Sequence, residues 1–301
     1  MAWGTGEYSA CGLFRKHSVS AAQWTIYVAD YKSETEQGIG VHPFPWIKPE
    51  PHAHGCFATL TLVSLLYLIR HGQAGPRDRY DCLSSLGRRQ ARLLGAWLAR
   101  EGVRFDSVWT GALARQTQTA ELVLGALAEA GSPHPEPLLD TRWNEFDLDA
   151  VYAAIAPQIA AADPAFRRHY ESLQQDLAAG QGEVHRHWTP ADTSVVRAWI
   201  HEQYRFTGES WAAFVERIRA AGEAPLAAAG AGQRAAVFTS ATPVGITLGR
   251  VFPLEPSHVM QLAGAALNTN MTILDVADGR PSLAAFNSTP HLDQAEWRTF
   301  R

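Results

Sequence analysis

From residue 64 onward the apolar positions follow two alternating rhythms. Leu65 to Ile69 is a continuous apolar run, the form a strand takes when helices cover both of its faces. The segment after it carries Leu86, Leu93, Leu94, Trp97 and Leu98 at spacings that gather them on one helical face, with Ser85 as the expected N-cap. Phe105 to Trp109 predicts a second strand, and Leu113 to Ala130 a second helix closed by Gly131. Strand, helix, strand, helix favours a parallel sheet between helical layers. Residues 150 to about 205 break the rhythm: they are helical in composition, rich in Ala, Tyr, Trp and His, and read as an inserted helical cap. The pattern resumes with a helix from Ser210 to Ala229, a turn at Gly230-Ala231-Gly232, a strand from Ala235 to Thr239 and a helix from about Pro243 to Val251. That glycine turn precedes a strand, whereas a dinucleotide-binding loop follows one. Two final strands, Met271 to Val276 and Ser282 to Phe286, are joined by the hairpin signal Asp278-Gly279. The expected architecture is a three-layer α/β/α sandwich with a mainly parallel sheet and an inserted helical cap, spanning residues 61–301.

Residues 1–60 show no sustained periodicity and end in a Pro/His-rich stretch, from His42-Pro43-Phe44-Pro45 to His54, so a poorly ordered N-terminal extension is expected there. No methionine separates Met1 from Met260, so a true start near Leu62 or Val63 requires a codon other than ATG. Sequencing the native N-terminus distinguishes the two.

Composition narrows the function classes. The 301 residues are 46% hydrophobic and 19% charged, which excludes disorder throughout the chain. A net charge of −4 supplies no broad positive field, so no nucleic-acid partner is expected, although a few arginines suffice to hold one phosphate. Three irregularly spaced cysteines, Cys11, Cys56 and Cys82, suggest neither a disulfide framework nor a zinc ribbon and fit a reducing cytoplasm. The most apolar run, Phe57 to Ile69, falls short of the ~20 residues that span a bilayer. It reads as a strand; no membrane partner and no targeting segment are expected.

The sharpest chemical feature is Tyr67-Leu68-Ile69-Arg70-His71-Gly72-Gln73, where an apolar strand delivers Arg and His into a glycine turn. Carboxyl ends of strands are where open α/β sheets carry their sites. At the end of the second strand, Thr110-Gly111-Ala112-Leu113-Ala114-Arg115 sets another arginine in the first turn of a helix, whose free N–H groups favour an anion. Two arginines at two strand ends suit a phosphate.

These residues resemble the histidine phosphatase superfamily, the phosphoglycerate mutase-like family, whose marks are a strand-terminal Arg-His-Gly and a later Leu-x-Arg-x-x-x-Thr-Ala, here Leu113 to Ala120. Tyr80-Asp81-Cys82-Leu83-Ser84-Ser85-Leu86-Gly87-Arg88-Arg89-Gln90-Ala91 is similar to the segment that opens the family's first helix, and Gly208-Glu209-Ser210 to the run found after its cap. The resemblance implies a covalent mechanism with His71 as nucleophile, Arg70 and Arg115 as the phosphoryl clamp, and no metal or organic cofactor. Gly72 and Gln73 would line the phosphate pocket. It also implies a general acid within Leu138-Leu139-Asp140-Thr141-Arg142-Trp143-Asn144-Glu145-Phe146-Asp147: Glu145 first, with Asp147 and Asp140 as alternatives. The family pattern is broken at the last parallel strand, where a His-Gly is usual and Ser240-Ala241 stands here; both are expected at the substrate. A hydroxyl, of Ser240, Thr239 or Thr242, can donate to a phosphoryl oxygen but cannot carry positive charge.

Three functions stay open on this reading: phosphomonoester hydrolysis through phospho-His71, phosphoglycerate mutase-type transfer, and a non-catalytic phosphoester-binding module motivated by Ser240. The expected partner is a small phosphorylated metabolite; the oligomeric state is unassigned. His291 or a cap histidine is a further candidate for the missing imidazole. His52-x-His54-x-Cys56 and His185-x-His187 have metal-compatible spacing but lack a further ligand set, so no metal is expected. His185, Arg186 and His187 read as a solvated face, and Trp143, Trp188, Trp199 and Trp211 as packing residues, some of which could line a pocket.

Overall fold

The computed structural model describes residues 64–76, 80–179, 189–230 and 232–300. The expected N-terminal extension, with Cys11, His52, His54 and Cys56, lies outside the described residues, as do His185, Arg186, His187 and Trp188. Strand β1 (Leu65–Arg70) explains its own composition: Leu66 and Leu68 are buried in one apolar layer, Tyr67 and Ile69 in the other. A strand covered on both faces has no polar side to alternate with. Each fully buried Leu or Ile here contributes roughly 1.5–3 kcal/mol.

The six-stranded sheet runs β3 (Leu138–Leu139), β2 (Ser107–Thr110), β4 (Arg234–Thr239), β1, β5 (Met271–Ala277), β6 (Arg280–Ser288). The first four strands are mutually parallel, and β5 and β6 are antiparallel. Asp278 and Gly279, at φ 51° and 72°, make the hairpin turn between them. Positive φ at both central residues is what a type I′ turn requires.

Helices α1 (Ser85–Arg100) and α2 (Ala114–Glu129) cover the face that holds Tyr67, Ile69 and Phe238. The opposite face buries residues of α3 (Leu148–Ala162), α4 (Pro164–Ala178), α5 (Pro190–Ile200), α6 (Trp211–Ala228), α7 (Ala241–Leu248) and α8 (Pro256–Ala265).

Several elements differ from the sequence pattern. The N-cap of α1 is Ser84, not Ser85, because Ser84 Oγ accepts the Gly87 N–H at 3.0 Å. The buried face of α1 is also turned: Leu94 and Leu98 are buried beside Gly87, Gln90, Ala91 and Gly95, while Leu86, Leu93 and Trp97 are half-buried. Small residues on that face let α1 approach α2 so closely that a Cβ at Gly95 would lie 2.4 Å from the Val123 carbonyl oxygen. Strand β2 starts at Ser107, and Phe105 instead packs edge-on against Tyr67 from the preceding loop at 5.3 Å. Helix α7 starts two residues before Pro243, and α8, opened by Pro256, has no counterpart in the expected elements. Among the described residues no helix is long and apolar enough to cross a membrane.

Candidate active site

The register of β1 against β4 pairs Arg70 with Thr239, so His71 and Ser240 leave neighbouring strand ends side by side. His71 N–H donates to the Thr239 carbonyl at 2.9 Å and closes the sheet at that point. The imidazole is buried, at 2% exposure. Its Nδ1 lies 2.7 Å from the Gly72 carbonyl, which can only accept, so Nδ1 carries the proton and Nε2 the lone pair. Arg115 Nε donates to that Nε2 at 3.3 Å. Burial, then the charges of Arg115 and Arg70, hold His71 well below the usual histidine range; the Gly72 carbonyl opposes this weakly. The ring is therefore neutral at neutral pH.

The glycines of two motifs meet beneath His71. A Cβ on Gly72 would fall 2.5 Å from the Gly87 carbonyl oxygen, and one on Gly87 would fall 2.1 Å from the Gln73 carbonyl oxygen. Backbone thus lies on backbone, which only glycine permits. Gly72 N–H donates to Thr119 Oγ1 at 3.0 Å, tying the turn after β1 to α2 one helical turn beyond Arg115. Gln73 donates from its backbone to Gln90 Oε1 and accepts from Ser84 through its own Oε1, both at 2.8 Å, so its side chain is turned to the start of α1.

Arg115 is buried, and Asp81 holds it. Asp81 accepts from Arg115 Nη1 at 3.0 Å and from the backbone N–H groups of Ala114 and Arg115 at 3.1 and 3.3 Å, which places a carboxylate on the N-terminus of α2. The Tyr80 ring lies 4.9 Å from the same guanidinium. Sequence reasoning gave Asp81 no role; its place just before Leu83-Ser84 was the available signal.

Arg70 is placed differently from a simple clamp. Its Nη1 donates to the Ala266 carbonyl and its Nη2 to the Phe300 carbonyl at 2.6 Å. Its charge acts on His71, while Arg115 is the guanidinium in contact with the ring. Behind His71, Asn268 Nδ2 and Thr269 N–H donate to the His71 carbonyl at 3.2 and 3.3 Å. His291 Nε2 lies 2.8 Å from Thr269 Oγ1, and burial pushes this histidine down to about 3. It stays neutral, so it does not supply a cationic donor.

The three candidate carboxyls separate cleanly. Asp140 is held below the usual carboxylate range, chiefly by hydrogen bonds from the Arg142 side chain, the shortest at 2.7 Å. Asp147 caps α3 through the Ala150 N–H at 2.9 Å. Glu145 instead stands at the start of α7, its carboxyl accepting from Thr242 N–H and Phe146 N–H at 3.2 Å each. Burial raises Glu145 above the usual range, with the Thr242 N–H and the Arg115 charge opposing.

The loop carrying Glu145 is pinned from several sides. Asn144 Oδ1 accepts from Ala112 N–H at 2.7 Å, and Phe146 stacks on Trp199 at 4.6 Å between ring centroids. Trp143, Trp199 and Trp211 are buried, so all three serve packing. Arg217 donates to the carbonyls of Arg142 and Asn144 at 2.7 and 3.0 Å and is itself gripped by both oxygens of Glu209, at 2.6 and 2.7 Å. That gives the Gly208-Glu209-Ser210 run its purpose: Glu209 orients Arg217, and Ser210 caps α6. Replacing Arg217 with Met should therefore loosen the loop that carries Glu145 and lower stability by about 1.5–3 kcal/mol, the scale of lost hydrogen bonds to a charged group. A thermal melt checks this.

Among the described residues no group of three or more His, Cys, Asp or Glu side chains is placed to hold a metal ion.

Comparison with known proteins gives the family and the fold. The model of the histidine phosphatase superfamily (branch 1) matches residues 66–190 and 184–289. The chain belongs to the histidine phosphatase superfamily. Within it, the chain is 29% identical over 158 residues to the serine/threonine-protein phosphatase Pgam5, mitochondrial, of Caenorhabditis briggsae, covering 48% of this chain and 52% of that protein. It is 38% identical over 92 residues to a 2,3-bisphosphoglycerate-dependent phosphoglycerate mutase of Methylobacterium sp., covering 28% of this chain and 42% of the mutase. The chain thus spans about half the length, or less, of these relatives. Its fold matches the crystal structure of phosphoglycerate mutase from Bacillus anthracis with a TM-score of 0.51 at 17% identity, over 77% of this chain and 96% of that one. Phosphatases and mutases both occur among these histidine phosphatase superfamily relatives.

Proposed function

We propose that the protein hydrolyses a phosphomonoester through a phosphohistidine formed on His71 Nε2. The observation that carries this is the fixed tautomer: the Gly72 carbonyl accepts from Nδ1–H, and Nε2 faces Arg115 with its lone pair in a neutral ring. A neutral imidazole is nucleophilic, and a guanidinium holds phosphoryl oxygens without losing its charge. Nε2 attacks phosphorus as the P–O ester bond breaks, and the departing oxygen takes the Glu145 proton. Water then attacks phosphorus as the P–Nε2 bond breaks and its electron pair returns to the imidazole; the water gives a proton to the Glu145 carboxylate, and orthophosphate and neutral His71 are freed. Arg115, beside Nε2, carries most of the phosphoryl charge, with Arg70 adding to the field from behind. Ser240, the N–H of Ala241 and Gly72 complete the phosphate site, while Gln73, committed to Gln90 and Ser84, holds the turn rather than the substrate. No metal or organic cofactor enters, the substrate is a small phosphorylated metabolite, and a cytoplasmic setting belongs to the same reading.

Phosphoglycerate mutase-type transfer is the runner-up, because it shares every step up to the phosphoenzyme and differs only in the acceptor. The test is release of phosphate from an aryl phosphate without added metal, followed by titration with orthophosphate. Turnover with orthophosphate binding weakened about 100-fold by Arg115→Ala, the scale of a lost electrostatic donor, supports the hydrolase. Binding without turnover on the aryl phosphate and on a panel of metabolite phosphates supports a non-catalytic phosphoester-binding module instead.

A further inference from the structure

Ser240 is an N-cap residue that does not cap its helix. An N-cap serine normally accepts a hydrogen bond from the N–H of the second or third helical residue. Here the third residue of α7 is Pro243, which has no N–H, and the second, Thr242, donates to Glu145 at 3.2 Å. The hydroxyl, 1% exposed and beside His71 at the strand ends, is turned to another partner: Gln116 Nε2 donates to Ser240 Oγ at 2.9 Å. Gln116 is fully buried, and each bond of its amide has a direction. Its second Nε2 proton goes to the Trp143 carbonyl at 3.1 Å, and its Oε1 accepts from Leu113 N–H at 3.3 Å. A Cβ on Gly111 would lie 2.0 Å from that Oε1, so the glycine makes room for the amide. With both amide protons committed, Oγ is an acceptor toward Gln116, and among the described residues its own proton has no acceptor.

We infer that Gln116 is a positioning residue that turns the Ser240 hydroxyl into a donor to a phosphoryl oxygen, between His71 and the carboxyl of Glu145. The inference rests on phosphoester binding at His71. It gives this wall of the pocket a neutral donor whose strength does not change with pH, and it leaves the phosphoryl charge to the arginines. It also assigns a purpose to a residue next to Arg115 that the motifs leave unassigned.

The test compares the wild type with Ser240→Ala, Gln116→Met and the double variant in two measurements: kcat/KM on an aryl phosphate and calorimetric affinity for orthophosphate. Each single change should cost about 10²-fold in kcat/KM, the usual loss for one such donor. The double variant should cost no more than Ser240→Ala alone, because Gln116 acts through that hydroxyl. Gln116→Glu keeps the shape and reverses the polarity, so the Ser240 proton is drawn to the introduced carboxylate, and the loss should equal that of Ser240→Ala. This second variant decides the matter where Gln116→Met fails to fold. Losses that multiply in the double variant, or a Gln116→Glu protein as active as the wild type, overturn the inference. If the wild type shows no turnover, the hydrolase reading fails separately and the orthophosphate affinities decide: equal, non-additive weakening supports the pair, and unchanged affinity overturns it.

Discussion

Replacing His71 with Ala should abolish phosphate release, with a loss of at least about 10⁴-fold, because groups that act as one unit leave only residual catalysis when any one is removed. The reason is geometric. Nε2 is the atom that presents a lone pair beside Arg115, and the hydrogen bond from Nδ1 to Gly72 fixes the ring in the productive tautomer. An alanine retains the arginine and the helix terminus but has nothing to form the P–N bond. Orthophosphate affinity should therefore persist in His71→Ala while turnover vanishes. Rapid quench with radiolabelled substrate provides the direct check: label stays on the wild-type protein in base and is lost in acid, as a phosphoramidate behaves, and His71→Ala takes up none. Turnover that survives the substitution would sink the phosphohistidine mechanism.

Replacing Glu145 with Gln should have the next largest effect, about 10²- to 10⁴-fold for a substrate whose leaving oxygen needs a proton. A nitrophenyl phosphate, whose leaving group departs as an anion, should lose far less. The pH profile supplies the sign. Burial raises Glu145 above the usual carboxylate range, so the acid form persists to higher pH than a free glutamate's, and activity falls as pH rises through that raised value. Glu145→Gln should remove this alkaline limb. His71 is shifted the other way: its ring stays neutral as pH falls through the ordinary 6.5, so the acid limb lies well below that value once the substrate's own ionisation, near about 6 for a phosphate ester, is allowed for. Stability follows the same sign. The unfolded chain protonates His71 near 6.5 while the folded chain does not, so stability present above 6.5 declines as pH falls toward the lowered folded value. An alkaline limb that persists in Glu145→Gln would move the acid role to another group. Asp140 is poorly suited to it, since Arg142 favours its charged form.

The sequence by itself determined most of the frame. A continuous apolar run of strand length fits a strand covered on both faces, and β1 is that strand, with Arg70 and His71 delivered at its carboxyl end. Alternation of strands and helices determined the mainly parallel sheet, and Asp278-Gly279 its closing hairpin. Local chemistry was legible wherever residues close in sequence act together, as in the arginine of the first turn of α2. Tertiary structure alone decided what depends on contacts between distant segments. The burial that raises Glu145 has no trace in a loop where its carboxyl looks solvated. Asp81 reaches Arg115 across 34 positions, and Gln116 reaches Ser240 across 124. Arg70 meets the Phe300 carbonyl across 230, so the chain's far end holds a residue that the motif assigned to substrate. Side-chain direction is set by packing and by which hydrogen-bond partners remain unclaimed, and neither is encoded within a short window of sequence.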